Sequence, residues 1–266
     1  MKESINNIQH RVAHIMSLAF IVGVYLFLYI PIFVLVIFSF NKAPFPSHWV
    51  GFTTQWYHEL YNSTYLWHAF YNSLIVALSS TILSLTMGVL LIFYTIQGGR
   101  IDRLLGLFYV NLIVPEVVLA VGLLSFFMFF AIPLGLPTII IAHTLLGFGY
   151  VIPIVYSRFR ELDYRLTEAS LDLGASPRQT FFKITLPLLS PSLLAAALLI
   201  FIISFDDFVL SYFCAGSSAQ TLSLYLLSML RSGVSPVVNA LSTFLLVFSS
   251  LLVMIFCWLN LRTKIF

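Results

Sequence analysis

Residues 168–187 read EASLDLGASPRQTFFKITLP, a polar, charged segment in a chain that is otherwise almost all apolar. Around its start, Leu162, Leu166, Ala169 and Leu173 recur at spacings of three and four, one apolar stripe on a short helix. Gly174 is suited to the positive φ that ends such a helix. Ser176-Pro177 then reads as an N-cap followed by proline at the first helical position. Phe181, Ile184 and Leu188 supply the apolar side of a second helix, and Pro187 and Pro191 predict a break before the next apolar run. The expectation is helix, glycine turn, helix, with charged side chains outward: an element that a soluble partner could grip.

The rest of the chain explains why such an element stands out. Of 266 residues, 60% are hydrophobic and only 9% charged, against about 25% charged in soluble domains; the mean hydropathy is +1.01. So much apolar surface requires lipid as solvent, and the expected fold class is an all-α membrane protein. Six segments reach the ~20 apolar residues a span needs: 15–40, 69–95, 104–131, 137–157, 190–213 and 238–261. They leave 158–190 as the one sizeable polar insert, and 1–266 is expected to form a single transmembrane domain. The first run is too long for a signal-peptide core and no A-x-A site follows it, so it reads as an uncleaved helix.

Charge orients the spans. With the N-terminus in the cytoplasm, Lys2, Arg11, Arg100, Arg103, Arg158, Arg160, Arg165, Arg178, Lys183, Arg262 and Lys264 fall inside, and only Lys42 and Arg231 outside. That strong positive-inside bias puts both termini and the insert in the cytoplasm. The external segment 41–68 is aromatic (Trp49, Trp56, Tyr57, Tyr61, Tyr65, Trp67), and a short interfacial helix is expected near 53–62. A turn at 132–137, with Pro133, Gly135 and Pro137, makes the third and fourth spans antiparallel neighbours. The second external loop, 215–237, carries Gly216, Gly233 and Pro236 but is apolar over 222–230, where another short helix is expected. Cys214 and Cys257 fall near opposite faces of the membrane, too far apart to bridge.

Three acids fall within predicted spans: Glu116, Asp206 and Asp207. An intramembrane acid costs ~2.5–3.5 kcal/mol on insertion scales, so it usually faces a cavity or a partner. Glu116 lies ~18 Å into a straight third span, near mid-bilayer, and the aspartates ~24 Å into the fifth, toward the outside. No lysine or arginine lies within the spans, which favours a cationic cargo or a counter-charge from a partner chain. Tyr212, Tyr225 and Asn239 are weaker candidates for the same path. His143 reads as a hydrogen-bonded packing residue rather than a ligand.

Glu168-Ala169-Ser170, Gly174 and Ile184-x-Leu186-Pro187 match the spacing of the EAA motif, E-A-A, three residues, G, nine residues, I-x-L-P. The chain therefore resembles permease subunits of binding-protein-dependent ABC importers; only Ser170 departs, where the family has alanine. The resemblance extends to the PotC-type permeases of spermidine/putrescine importers. Tyr29-Ile-Pro31, Ser39-Phe-Asn41, Gly51-Phe-Thr53, Trp56-Tyr57, Val155-Tyr-Ser-Arg158, Asp172-Leu-Gly-Ala-Ser176, Phe205-Asp-Asp207, Ser235-Pro236 and Asn239-Ala-Leu241 carry it. It implies a type I importer (MetI-like) fold in a bacterial cytoplasmic membrane. It also implies that Glu168, Ala169, Ser170, Asp172, Gly174, Ala175, Ile184, Leu186 and Pro187 form the element that docks an ATPase. The implied partners are two cytoplasmic ATPase subunits (PotA-like), a second permease (PotB-like) and an extracytoplasmic binding protein (PotD-like), besides the bilayer and without nucleic acid.

The chain has no G-x-x-x-x-G-K-[ST] loop, nucleophile–base pair or zinc spacing. It is expected to be no enzyme and to hold no cofactor, with ATP and Mg bound in the ATPase partners. Other readings remain: a permease of the same build for thiamine, iron or another solute, or an ATPase-independent secondary transporter. The secondary transporter would show inverted repeats or paired broken helices, and neither is evident.

Overall fold

The computed structural model describes residues 2–43, 48–99, 101–232 and 236–263. Arg100, Gly233, Ser235 and Lys264 lie outside the described residues, as do the side chains of Lys2, Arg11, Asp102, Arg103 and Arg262. The chain divides into two compact units, one of 1–62 and 229–248, the other of 63–228 and 249–266. Nearly every described segment is helical. Five helices are long and apolar enough to cross a membrane, and a bent pair makes six if its two arms count as one span.

In the first unit, α1 (Lys2–Phe38) is a single helix with Pro31 inside it. Its apolar side chains over 14–33 are all exposed. Beyond it the chain folds back on itself. Lys42 N–H donates to the Gly51 carbonyl (2.9 Å) and Thr53 N–H to the Phe40 carbonyl (2.8 Å). Asn41 is fully buried; its Oδ1 accepts from Val50 N–H (2.9 Å), and its carbonyl accepts from Trp56 Nε1 (2.8 Å). Ser39 Oγ and Tyr57 Oη share a hydrogen bond of 2.7 Å, and the Phe40 ring packs on Phe52 and Tyr57. A short helix, α2 (Gln55–Asn62), forms where one was expected.

In the second unit, Ser63 caps α3 (Thr64–Ile96) by accepting from Leu66 N–H (3.3 Å), so the second span begins earlier than its apolar run suggests. The third span is not the straight helix expected over 104–131. It is α4 (Asp102–Ile113) and α5 (Glu116–Phe129), bent by 113°. Pro115 is the cause: it lacks an N–H and drives Val114 out of the helical region, to φ −66 and ψ 127. After the tight turn comes α6 (Leu136–Glu161), four residues longer at its C-terminus than predicted. Then follow α7 (Tyr164–Asp172), α8 (Pro177–Thr180), a π turn at Phe181–Thr185, and α9 (Leu186–Asp206). The fifth span therefore ends at Asp206, not at 213. A short α10 (Val209–Cys214) and α11 (Leu222–Ser232) follow, and α12 (Pro236–Thr263) is the last span.

α3, α6 and α9 pack through small residues. A Cβ on Gly88 would meet Val151 Cγ1 at 2.7 Å, so only glycine permits this approach of α3 to α6. Two buried clusters lie along this packing. One joins Val76, Ala120, Phe127, Ile139, Ala142 and Leu210; the other joins Ile92, Val151, Val155, Phe181, Leu189 and Ile200. Of the two cysteines, Cys214 is buried and Cys257 exposed, and both are free.

Candidate functional site

Two constellations in the second unit carry chemistry. The first is the insert. Asp163 caps α7 by accepting from Arg165 N–H (3.0 Å). At the other end Gly174 takes φ +83; its N–H donates to the Leu171 carbonyl (2.9 Å), and Ala175 N–H donates to the Ser170 carbonyl (3.1 Å). This is the paired Schellman arrangement, which requires a left-handed residue. Ser176 and Gln179 then cap α8 reciprocally, Ser176 N–H to Gln179 Oε1 (2.8 Å) and Gln179 N–H to Ser176 Oγ (3.3 Å).

Two features of the insert differ from expectation. The stripe of Leu162, Leu166, Ala169 and Leu173 does not form a buried face: Leu166 is 48% and Leu173 89% exposed. The buried residue of α7 is Ser170, which turns inward against Thr180 (Ser170 Oγ to Thr180 Oγ1, 2.9 Å). Nor does the chain break at Pro187 or Pro191; 177–206 runs as one continuous helical rod. The π turn accounts for this, because Leu186 N–H reaches back to the Phe181 carbonyl and the widened turn accommodates the Pro187 ring. Phe181, 2% exposed, anchors the turn against Phe93 of α3 (ring centroids 5.0 Å).

Glu168, Ala169, Asp172, Gly174 and Pro187 are exposed, whereas Ala175, Ile184 and Leu186 are half-buried. Beside α7 opens a cavity of about 530 Å³, whose lining includes Arg160, Asp163 and Glu168 over Phe159, Ile184 and Leu188. The exposed leucines and this mixed-charge hollow make the hairpin a surface suited to a protein partner.

The second constellation gathers the intramembrane acids. Asp206 and Asp207 do not lie within a continuous helix as expected: Asp206 is the last residue of α9, and Asp207 takes φ −63, ψ 130 at the break. Their environments diverge there. Asp206 is exposed. Asp207 is 8% exposed, and its Oδ2 accepts from Ser211 N–H at the start of α10 (2.9 Å) and lies 2.9 Å from His143 Nε2. Its carbonyl accepts from Ser223 Oγ (2.6 Å). His143, 1% exposed on α6, places Nδ1 2.7 Å from Ser204 Oγ, and Ser204 Oγ lies 3.0 Å from Ser80 Oγ on α3. A buried polar chain thus crosses three helices.

Glu116 opens α5 just past the Pro115 bend and is half-buried there. The bend replaces the mid-helix position expected for it with a helix N-terminus, where an acid is favoured. Among the described residues, no lysine or arginine forms an ion pair with any of the three acids.

The weaker candidates separate. Tyr212 is 49% exposed and packs on Phe208 (ring centroids 5.4 Å). Tyr225 Oη is tied to Ser63 Oγ (3.3 Å). Asn239 belongs to the first unit, half-buried on α12, its carbonyl accepting from Thr243 Oγ1 (2.8 Å). Sequence reading assigned no role to Ser80, Ser204 or Ser211. Their signal was small polar residues interrupting apolar spans, which composition alone does not distinguish from ordinary helix packing.

Comparison with known proteins identifies the family. The family described as "Binding-protein-dependent transport system inner membrane component" matches residues 84–263. The chain is 40% identical over 238 residues to the spermidine/putrescine transport system permease protein PotC of Escherichia coli K12, covering 88% of this chain and 89% of that protein. It is 38% identical to the Haemophilus influenzae PotC, covering 89% and 93%. It is 36% identical to the putrescine transport system permease protein PotI of E. coli K12, covering 83% and 82%. Among solved structures, a bacterial ABC transporter involved in import of the acidic polysaccharide alginate gives a TM-score of 0.71 at 17% identity, covering 94% of this chain and 95% of that one. The MetNI methionine ABC transporter in an inward-facing conformation gives 0.62 at 20% identity, covering 74% and 95%. These likenesses establish the fold.

Proposed function

The chain belongs to the family of binding-protein-dependent transport system inner membrane components, and on that footing we propose that it is the permease subunit of an ATP-driven polyamine importer. The observation that carries this reading is the 40% identity to a spermidine/putrescine permease across nearly nine-tenths of both chains. The three acids in the expected spans, without lysine or arginine partners among the described residues, support a cationic cargo. A permease for another cation is the second reading, since the same acids would suit it.

In this reading the chain acts as one transmembrane domain with both termini and the hairpin in the cytoplasm. A second, related permease completes the pathway, and an extracytoplasmic binding protein delivers cargo. Two ATPase subunits hold ATP and Mg²⁺ and dock on the hairpin through Glu168, Ala169, Asp172 and the exposed leucines. When they close, they displace α7 and α8, and the rod of 177–206 carries that motion to the acids at its far end. Asp206, exposed there, meets the cation; Glu116 takes a second amine. Asp207, held by His143 and Ser211, keeps the break between α9 and α10 in place.

Co-reconstitution of the chain with its ATPase, second permease and binding protein into proteoliposomes tests the assignment. ATP-dependent accumulation of labelled spermidine or putrescine is expected. A complex that hydrolyses ATP and imports a different solute, but neither polyamine, overturns the cargo.

A further inference from the structure

Within the hairpin one contact has no counterpart in the motif it resembles, where alanine occupies the position of Ser170. Ser170 is 8% exposed and Thr180 fully buried. Thr180 Oγ1 donates to the Ser176 carbonyl (3.2 Å), so its remaining capacity is as an acceptor. The Ser170 hydroxyl is therefore the donor in the 2.9 Å bond between them. The result is a directed chain, Ser170 to Thr180 to Ser176, that alanine cannot make. Buried from water, it is not exchanged for solvent hydrogen bonds as an exposed pair would be.

Its position gives it a mechanical meaning. α7 has weak ties elsewhere. Leu166, Leu171 and Leu173 in and beside it are exposed, and Ser170 is the residue of α7 that is buried. The chain enters α7 through Leu162, whose backbone is extended (φ −67, ψ 139), and leaves through the Gly174 turn. α8, in contrast, continues through the anchored π turn into α9. Displacement of α7 reaches α9 through the glycine turn or across the side-chain contact.

We propose that Ser170 is a positioning residue for the coupling hairpin: its hydrogen bond to Thr180 fixes α7 on α8 and passes movement of α7 to the α9 rod. This rests on the reading of the hairpin as the place where an ATPase acts. The test uses the fully assembled transporter with Ser170→Ala, Thr180→Val, the double variant and Thr180→Ser. It measures uptake per ATP hydrolysed, copurification of the ATPase and the membrane level of the chain. Each of S170A and T180V is expected to lower uptake per ATP by about fivefold, the weight of one ordinary net hydrogen bond. ATPase copurification and membrane level stay unchanged, the double variant falls no further than the worse single, and T180S keeps the original ratio. An unchanged ratio in both singles, multiplied losses in the double, or a T180S as poor as T180V overturns the proposal. So does a loss of uptake that merely tracks a fall in chain level, which marks a role in folding alone. Failure of the unaltered chain to retain an ATPase would instead remove the reading of the hairpin itself, before any variant is compared.

Discussion

His143 lies 2.9 Å from Asp207 and 2.7 Å from Ser204, with side-chain exposures of 0% for His143 and 2% for Asp207. Removing His143 takes a hydrogen-bond partner from both buried Asp207 and buried Ser204, at a cost of about 1–3 kcal/mol. His143→Ala is therefore expected to lower the thermal midpoint of the detergent-solubilised protein clearly. Asp206→Asn, at an exposed helix end, is expected to change stability by less than about 0.5 kcal/mol while lowering polyamine uptake. Thermal unfolding followed beside transport separates the two. Equal destabilisation by both substitutions would show that the neighbouring aspartates do not have the separate roles assigned here. The sequence placed both as acids in a span; it did not reveal that the helix ends between them, because the groups that end it sit on α6 and α10.

The hairpin is the element whose form was most legible. Gly174, Ser176 and Pro177 each act on backbone groups within a few residues, and the Schellman turn and α8 cap follow from local chemistry. Gly174→Val tests the turn. Nothing lies within 4 Å of a Cβ built there, so the penalty is the backbone conformation at φ +83 rather than a clash. A β-branched residue in that region costs about 1–2 kcal/mol. Uptake per ATP is expected to drop while membrane insertion is retained, and Gly174→Asn, better suited to left-handed backbone, is expected to be milder. A valine variant with unaltered coupling would remove the turn from the mechanism. The leucine stripe misled because periodicity marks an apolar face without saying what covers it; here the leucines face outward, and a serine makes the buried contact. The break expected at Pro187 failed for a different reason. The π turn absorbs the proline, and nothing in an apolar run announces an extra residue per turn.

For the whole molecule, the orientation inferred from positive charge is directly testable. Leu173, 89% exposed on the hairpin, replaced by cysteine in a Cys257→Ser background, is expected to react with a membrane-impermeant maleimide in inverted vesicles and not in intact spheroplasts. Labelling from the outside would invert the topology and remove the hairpin from reach of a cytosolic ATPase. The five long apolar helices needed no tertiary information. Runs of about twenty apolar residues have to be helical in lipid, since every backbone polar group must be satisfied within the segment.

The long apolar helices, the short helix near 53–62 and the capped hairpin were readable along the chain, because hydropathy, capping and proline sterics act over one or two turns. The 113° bend between α4 and α5 was marked by Pro115 but its size was not, since a proline permits a range of kinks. The sorting of Asp206 from Asp207, the meeting of Asp207 with a histidine 64 positions away, and the inward turn of Ser170 belong to the folded molecule. Each depends on side chains brought together from different helices, and linear spacing carries no record of that approach.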